Sequence, residues 1–415
     1  VFEGALWLLG ARGLAVAAQY GALIVLADEL TPHEFGLAAM VAVVVGMVGV
    51  AADGGMETIA LRPGVDERRA ARLALGSGLL CALAVALLAP PLARLFRSPA
   101  GLSDLLRAGA IGLLLAGVAA PARARLRRTL FFRRLALADA ARAAVAAGAS
   151  AALALRGYGA WAIVLADLLA GACGAGFAWL LAPRMEGGSG GGLLPDGLRI
   201  VGTRLFDSWF AQADRLLVGR RLGSAVLGYY GFAARHALLP LQHLLPVADQ
   251  VALPVLARLR GAELVGAYLS LTRLLALAIL PFSAALSWIA PWLVDTLFPG
   301  WQPAVPALRA LCVAAAAAGL NSDPGILWLA LGRTRLRLFW SAANLVALAG
   351  VVWVGTRHGI TGVAYALAAR SLVATVAGQA ISRRVAGVPH GGYLRALLPG
   401  LSVGAAIFLT WLLLG

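Results

Sequence analysis

Lysine is absent from this chain of 415 residues; all 35 basic side chains are arginine. The replacement reads as the codon bias of a GC-rich genome. Cysteine is almost absent too. Cys81, Cys173 and Cys312 stand singly inside apolar stretches. No pair has the spacing of a disulfide framework, a zinc site or a redox motif, so all three read as small packing residues. Charge of either sign is scarce, at 13% of residues, against about 25% in a soluble domain. That scarcity excludes an ordinary soluble fold. Catalytic signatures are missing as well: there is no His-Glu-x-x-His and no Walker loop. His33-Glu34 sits in a turn without a second histidine. The reading is therefore of a non-enzyme with no metal and no cofactor.

What is present is apolar, at 61% of the chain. Stretches such as 36–52, 73–92, 135–155, 159–181 and 398–414 approach or exceed the ~20 residues that span a bilayer as a helix. Their alanine, leucine, valine and glycine do not alternate strictly, which argues against a β-barrel. Thirteen stretches read as helices, at roughly 4–26, 35–60, 70–95, 104–122, 135–155, 158–182, 198–220, 226–254, 265–297, 303–331, 337–355, 359–382 and 391–414. The first begins too early and lacks a cleavage site, so it reads as a helix rather than a signal peptide. The chain opens at Val1 without methionine and stops at Gly415 against an apolar run, as a trimmed product would.

The net charge of +16 invites a nucleic-acid partner, but its placement argues against one. With the N-terminus in the cytoplasm, twenty arginines fall in cytoplasmic joins, six of them between Arg123 and Arg134, and seven fall in the opposite joins. That asymmetry follows the positive-inside rule. The outer joins are short. The longest, Phe298-Pro299-Gly300-Trp301-Gln302-Pro303, reads as an interfacial turn with an aromatic anchor.

The second half echoes the first. Leu30–Gly36 matches Leu222–Gly228 at an offset of 192, Gly159–Ala162 matches Gly362–Tyr365 at 203, and Arg128-Thr129 matches Arg333-Thr334 at 205. The glycine run Gly187–Gly192 falls between the copies as a flexible linker. The expected organisation is an N-terminal lobe of six helices over 1–186, a cytoplasmic linker over 187–197, and a C-terminal lobe of six helices over 198–385. A thirteenth helix follows over 391–415. The fold class is thus an all-α integral membrane protein, with two six-helix lobes in a pseudo-twofold arrangement about an axis along the membrane normal.

Candidate site residues are the polar ones inside helices, since a charge at a helix centre costs about 2.5–3.5 kcal/mol on insertion scales. Arg235, Gln242 and Asp249 recur every seven residues over 226–254, and His236, His243 and Gln250 follow each by one. The span from Arg235 to Asp249 is about 21 Å of a ~30 Å core. Pro240 and Pro246 should bend this helix. The competing reading is interhelical hydrogen bonding. Over 198–220, Arg204, Asp207 and Asp214 share one face, and Arg204 and Asp207 could neutralise each other. Their counterparts on the first stretch are Arg12 and Gln19, whereas Asp53 and Glu57 read as a cap or loop pair. Asp167 plus 203 is Arg370, so matching positions carry opposite charges; they either pair across the central axis or line the cavity separately. Arg142, Arg273 and Arg309 are further cations within helices. Interior arginines suit an anionic cargo, because guanidinium grips phosphate in a forked geometry.

Several blocks in order carry a resemblance: Glu34-Phe35-Gly36-Leu37, Asp53-Gly54-Gly55, Asp214–Arg220, Leu222-Gly223, Leu227–Tyr230, Pro254–Leu259 and Leu297–Trp301. Nearly the whole chain resembles the Wzx-type oligosaccharide flippases, close to the colanic and teichuronic acid exporters of the MATE/MOP superfamily. The resemblance implies a multi-pass protein of the bacterial inner membrane that moves undecaprenyl-diphosphate-linked oligosaccharide to the outer leaflet by alternating access. The implied partners are that polyprenyl-linked cargo, membrane lipids, a polysaccharide polymerase and a chain-length regulator. The family typically has fourteen helices, one more than counted here. It carries no catalytic residues over. A drug or metabolite cation antiporter of the same superfamily would share the fold but favour an acidic cavity. An integral-membrane glycosyltransferase or polymerase would need a sizeable outer loop with paired acids or histidine.

Overall fold

The computed structural model describes residues 17–56, 66–97, 101–129, 131–183 and 193–414; the glycine linker and Arg12 lie outside them. Helix α1 is described over 17–29. It is followed by α2 (Pro32–Ala52), α3 (Glu67–Leu95), α4 (Leu102–Arg128), α5 (Phe132–Ala154), α6 (Ala160–Leu181) and α7 (Leu193–Leu222). Then come α8 (Ser224–Ala237), α9 (Leu239–Leu256), α10 (Gly261–Leu297), α11 (Val305–Ala330), α12 (Thr334–Gly355), α13 (Gly359–Ala386) and α14 (His390–Leu414). Eight described stretches are long and apolar enough to cross a membrane, one of them running through both α12 and α13.

Local chemistry sets the boundaries. Thr31 caps α2 in a capping box: its hydroxyl accepts from the Glu34 amide at 3.3 Å, and Glu34 accepts from the Thr31 amide at 2.9 Å. Glu34 is thus a structural cap. At the other end, Asp53 accepts from the Gly55 amide at 3.0 Å, and Gly54 and Gly55 turn the chain at positive φ, so α2 ends at Ala52 rather than near 60. Helix α4 passes the expected end at 122 and carries through Pro121 into the arginine run, since arginine is a good helix former. The single helix expected over 226–254 is broken at Leu238. Pro240 cannot donate to the turn before it, and the axis breaks there.

Two compact units emerge, Val1–Gly228 and Tyr229–Gly415. In the first, α3 crosses α4 at glycines: a Cβ on Gly117 would sit 2.6 Å from the Ala74 carbonyl oxygen, and Gly78 faces Gly117. Small residues allow such backbone approach. The arginine-rich end of α4 is partly buried. Arg125 donates to the Pro183 carbonyl at 2.6 Å beneath the Trp179 ring, and Arg128 pairs with Glu67 at 3.0 Å.

The α7–α8 corner closes on α2. A Cβ on Gly36 would overlap the Ser224 carbonyl, and one on Gly228 would overlap the Pro32 carbonyl. Gly36 and Gly228, like Pro32 and Ser224, stand 192 residues apart. The contact is reciprocal, as two copies of one segment meet about a local twofold. His33 Nδ1 lies 2.6 Å from the Ser224 hydroxyl in the same corner.

The second unit is knit by uncharged polar groups and aromatics. Gln379 on α13 donates to the Tyr268 hydroxyl at 2.7 Å, and the Trp328 indole donates to Ser382 at 3.1 Å. Tyr268 and Trp328 are fully buried in the core that α14 joins through Tyr393 and Leu397. The expected interfacial anchor Trp301 is instead buried: it and Phe298 pack on Phe232 with ring centroids 4.9 Å apart. The loop folds back because these large rings bury more area in the protein than at its edge.

Candidate functional site

Five helices of the first unit, α2, α4, α5, α6 and α7, surround a cavity of about 590 Å³. That volume lies within the roughly 300–1,000 Å³ typical of small-molecule sites. Its walls are mostly aliphatic, and six glycines line it, at 46, 49, 109, 112, 171 and 174. The missing side chains make room. A Cβ on Gly174 would sit 3.2 Å from the Arg142 stem, so Gly174 lets that arginine lie across α6.

Five charged side chains reach the cavity: Asp53, Arg123, Arg142, Asp167 and Arg204. They are not equivalent. Arg123 pairs with Asp139 at 2.8 Å, bridging α4 to α5. Arg204 pairs with Asp53 at 3.0 Å, bridging α7 to the end of α2. One turn along, the Ser208 hydroxyl donates to the Gly46 carbonyl at 2.9 Å. Arg204 is 36% exposed and Asp53 12%, a half-solvated pair of the kind that contributes about 0.2–1 kcal/mol. Arg142, on α5, has no hydrogen-bond or ion-pair partner among the described residues. Among the described residues, three arginines against two aspartates leave the walls net cationic, with the Arg142 guanidinium uncommitted. Such a surface binds an anion and orients it by forked hydrogen bonds.

Of the residues singled out in the sequence, Arg142, Asp167 and Arg204 come together here. Gln19 is exposed on α1 and Arg273 on α10, and Asp214 is half-buried on α7; none of them lines the cavity. Arg370 donates to Asn344 on α12 at 3.0 Å, and Arg309 donates to the Ser287 carbonyl at 3.1 Å. Arg204 pairs with Asp53 across two helices. The side chains of Asp207, Asp249, His243 and Gln250 lie outside the described residues, as does Arg12. Along the broken α8–α9 segment, Arg235 is half-buried and Gln242 exposed. His236 is buried; it donates to the Phe232 carbonyl at 2.8 Å and packs its ring on Phe232 and Phe298.

Sequence reasoning missed two members. Arg123 was counted with the cytoplasmic cluster and Asp53 with a loop pair. Periodicity within one helix carries no signal for either, because each is defined by a partner on another helix. A trace existed for the site's other side: Arg204 stands 192 residues after Arg12, the offset of the repeat.

The chain resembles solved membrane transporters over nearly its whole length. The structure of the lipid II flippase MurJ in an inward closed conformation superposes with a TM-score of 0.73 at 14% identity, covering 96% of this chain and 92% of that one. A multidrug resistance MATE family transporter of the MOP superfamily, inward-facing, gives 0.67 at 18% identity, covering 88% and 94%. At these identities the likeness is one of fold: an all-helical, multi-pass integral membrane protein of the MATE and MurJ type. Teichuronic acid biosynthesis protein TuaB of Bacillus subtilis (strain 168) is 25% identical over 211 residues. That match spans 50% of this chain and 44% of the relative's length. The family described as polysaccharide biosynthesis protein matches residues 25–306. With more than half its length in that match, the chain belongs to the polysaccharide biosynthesis protein family.

Proposed function

We propose that this protein flips polyprenyl-diphosphate-linked oligosaccharide from the cytoplasmic to the outer leaflet of the bacterial inner membrane, by alternating access. The observation that carries the reading is the net cationic cavity of the first unit, with Arg142 uncommitted, in a member of a polysaccharide biosynthesis family. A diphosphate is the one fixed anion of such a cargo, and arginine keeps its charge where burial would neutralise lysine. The likeness to a lipid II flippase supports the same reading. The polysaccharide polymerase and chain-length regulator are the partners such a carrier would serve. Under this reading the cargo-facing residues of the first unit are Arg142, Asp167 and Arg204, with two six-helix lobes over 1–186 and 198–385.

Reconstitution with a fluorescent lipid-linked oligosaccharide tests it. The protein should move label from inner to outer leaflet, and liposomes that show no exchange above protein-free controls would end the reading. The cation antiporter of the same superfamily is the second reading, favoured by the MATE-like fold and by Asp53 and Asp167 in the cavity. Proton-driven efflux of a cationic dye from the same liposomes, without lipid exchange, would select it. The arginine asymmetry supports a cytoplasmic N-terminus. A cysteine at Ser189, in a background without the native three, should react with impermeant reagent only after the cells are opened.

A further inference from the structure

The cavity holds two arginines of unequal availability, and Asp53 makes the difference. Arg142 stands free across Gly174, whereas Arg204 is held by Asp53 at 3.0 Å on the same cavity wall. Asp53 is itself fixed. It is 9% exposed, and its second oxygen accepts the Gly55 amide at 3.0 Å in the turn that ends α2. A carboxylate anchored this way cannot follow its guanidinium far, whereas the long Arg204 side chain is a third exposed. Resting on the flippase reading for the identity of the anion, we propose that Asp53 stands in for the cargo's phosphate. A diphosphate seated first on Arg142 takes Arg204 from Asp53, and the two arginines then hold it together.

The exchange is plausible on charge. A half-exposed ion pair contributes little. A diphosphate brings more than one negative charge and several acceptor oxygens that match the guanidinium fork. Of the other described charged groups in the cavity, Arg123 pairs with Asp139, whose exposed carboxylate is not anchored as Asp53 is and can follow it, and Asp167 carries the cargo's own sign. Arg142 and Arg204 are therefore the pair available for grip. Asp53 acts through Arg204 and is a positioning residue. Losing its charge should strengthen anion binding, the reverse of what loss of a helix cap would do.

The test is binding of inorganic pyrophosphate to the full chain in phosphatidylcholine nanodiscs, by titration calorimetry, with melting followed on the same samples. Asp53→Asn should bind more tightly than the wild type by up to about fivefold, the factor expected from removing a weak competing pair. Asp53→Ser, which keeps an acceptor for the Gly55 amide, should do the same and covers the case in which Asp53→Asn folds poorly. In an Arg204→Gln background, Asp53→Asn should change nothing. Arg142→Gln should weaken binding in every background. Unchanged or weaker binding by both Asp53 variants, a gain that survives Arg204→Gln, or no pyrophosphate binding at all would each overturn the proposal. Discs containing phosphatidylglycerol separate the sources of phosphate. Equal pyrophosphate affinity in both discs keeps the site for a diphosphate cargo, and competition by phosphatidylglycerol hands it to bulk lipid and overturns the assignment. Failure of liposome flipping with these affinities intact would remove the cargo, not the masking of Arg204. Normal flipping with unaltered Asp53→Asn affinity would remove the masking alone.

Discussion

The two units use polarity in opposite ways. In Val1–Gly228 five described charged side chains face a cavity. In Tyr229–Gly415 the buried polar groups around Tyr268 and Trp328 are neutral and hydrogen-bond across helices: Gln379 to Tyr268, Trp328 to Ser382, and Thr375 to the Ala317 carbonyl at 2.8 Å. Neutral pairs bind helices together at low desolvation cost. Charged groups inside a membrane protein are costly and persist where they line a path or meet a ligand. On the proposed function, the contrast separates residues kept for cohesion from residues available for cargo. A count of polar side chains along the sequence ranks the second copy as the richer and does not make that distinction.

Five substitutions would break or sharpen the contrast, in falling order of expected effect on stability. Trp328→Ala removes a fully buried indole and should cost about 3–5 kcal/mol, seen as a large drop in melting temperature in detergent. An unchanged melt would mean that the second unit's core is not what holds it. Gly36→Ala and Gly228→Ala each drive a Cβ into a carbonyl across the α2–α8 corner and should cost about 1–3 kcal/mol. Because the contact is reciprocal, the two losses should be similar, and their combination should fall short of the sum. A much larger loss at one glycine would show that the corner is not symmetric. Ser382→Ala leaves the buried Trp328 indole without its acceptor and should cost about 1–3 kcal/mol with normal flipping per folded molecule. Loss of flipping without loss of stability would move this seam from cohesion to function.

Arg142→Gln should change stability least, within about 0.5 kcal/mol, because it breaks no pair among the described residues. Flipping should nevertheless fall at least tenfold, and Arg142→Lys should recover it only in part, since charge returns without the fork. Arg235→Ala is the matched comparison on the broken α8–α9 segment. Flipping impaired as deeply as by Arg142→Gln, at normal melting temperature, would extend the cargo path to that segment. A melting loss with normal flipping per folded molecule would place Arg235 with the second unit's packing groups.

Much of the fold was legible before any coordinates. Helix positions follow from the length of apolar runs, and the order expected from 35–60 to 391–414 recurs from α2 to α14 with one helix broken. The break at Leu238 follows from Pro240, a local cause readable in the chain. The repeat offset of 192 foretold equivalent glycines at 36 and 228. The offset did not foretell that they would touch, because equivalence in sequence does not specify contact. The site was half legible. Arg142, Asp167 and Arg204 were visible as charges within helices. His236 carried the same signal, yet packs among aromatic rings, since a polar residue on a periodic face is equally consistent with packing and with a path.

The chain's composition and periodicity decided that it is helical, that it crosses a membrane many times, and roughly where its helices lie and bend. Those are properties of neighbours in sequence, governed by hydrogen bonds within a turn and by apolar length. Tertiary structure decided which charges meet. Arg204 finds Asp53 some 150 positions away, Arg123 finds Asp139 across the α4–α5 turn, and Arg142 is left over beside Gly174. Pairing of this kind depends on how helices lie side by side, which the packing of glycines and carbonyls sets and no single helix encodes.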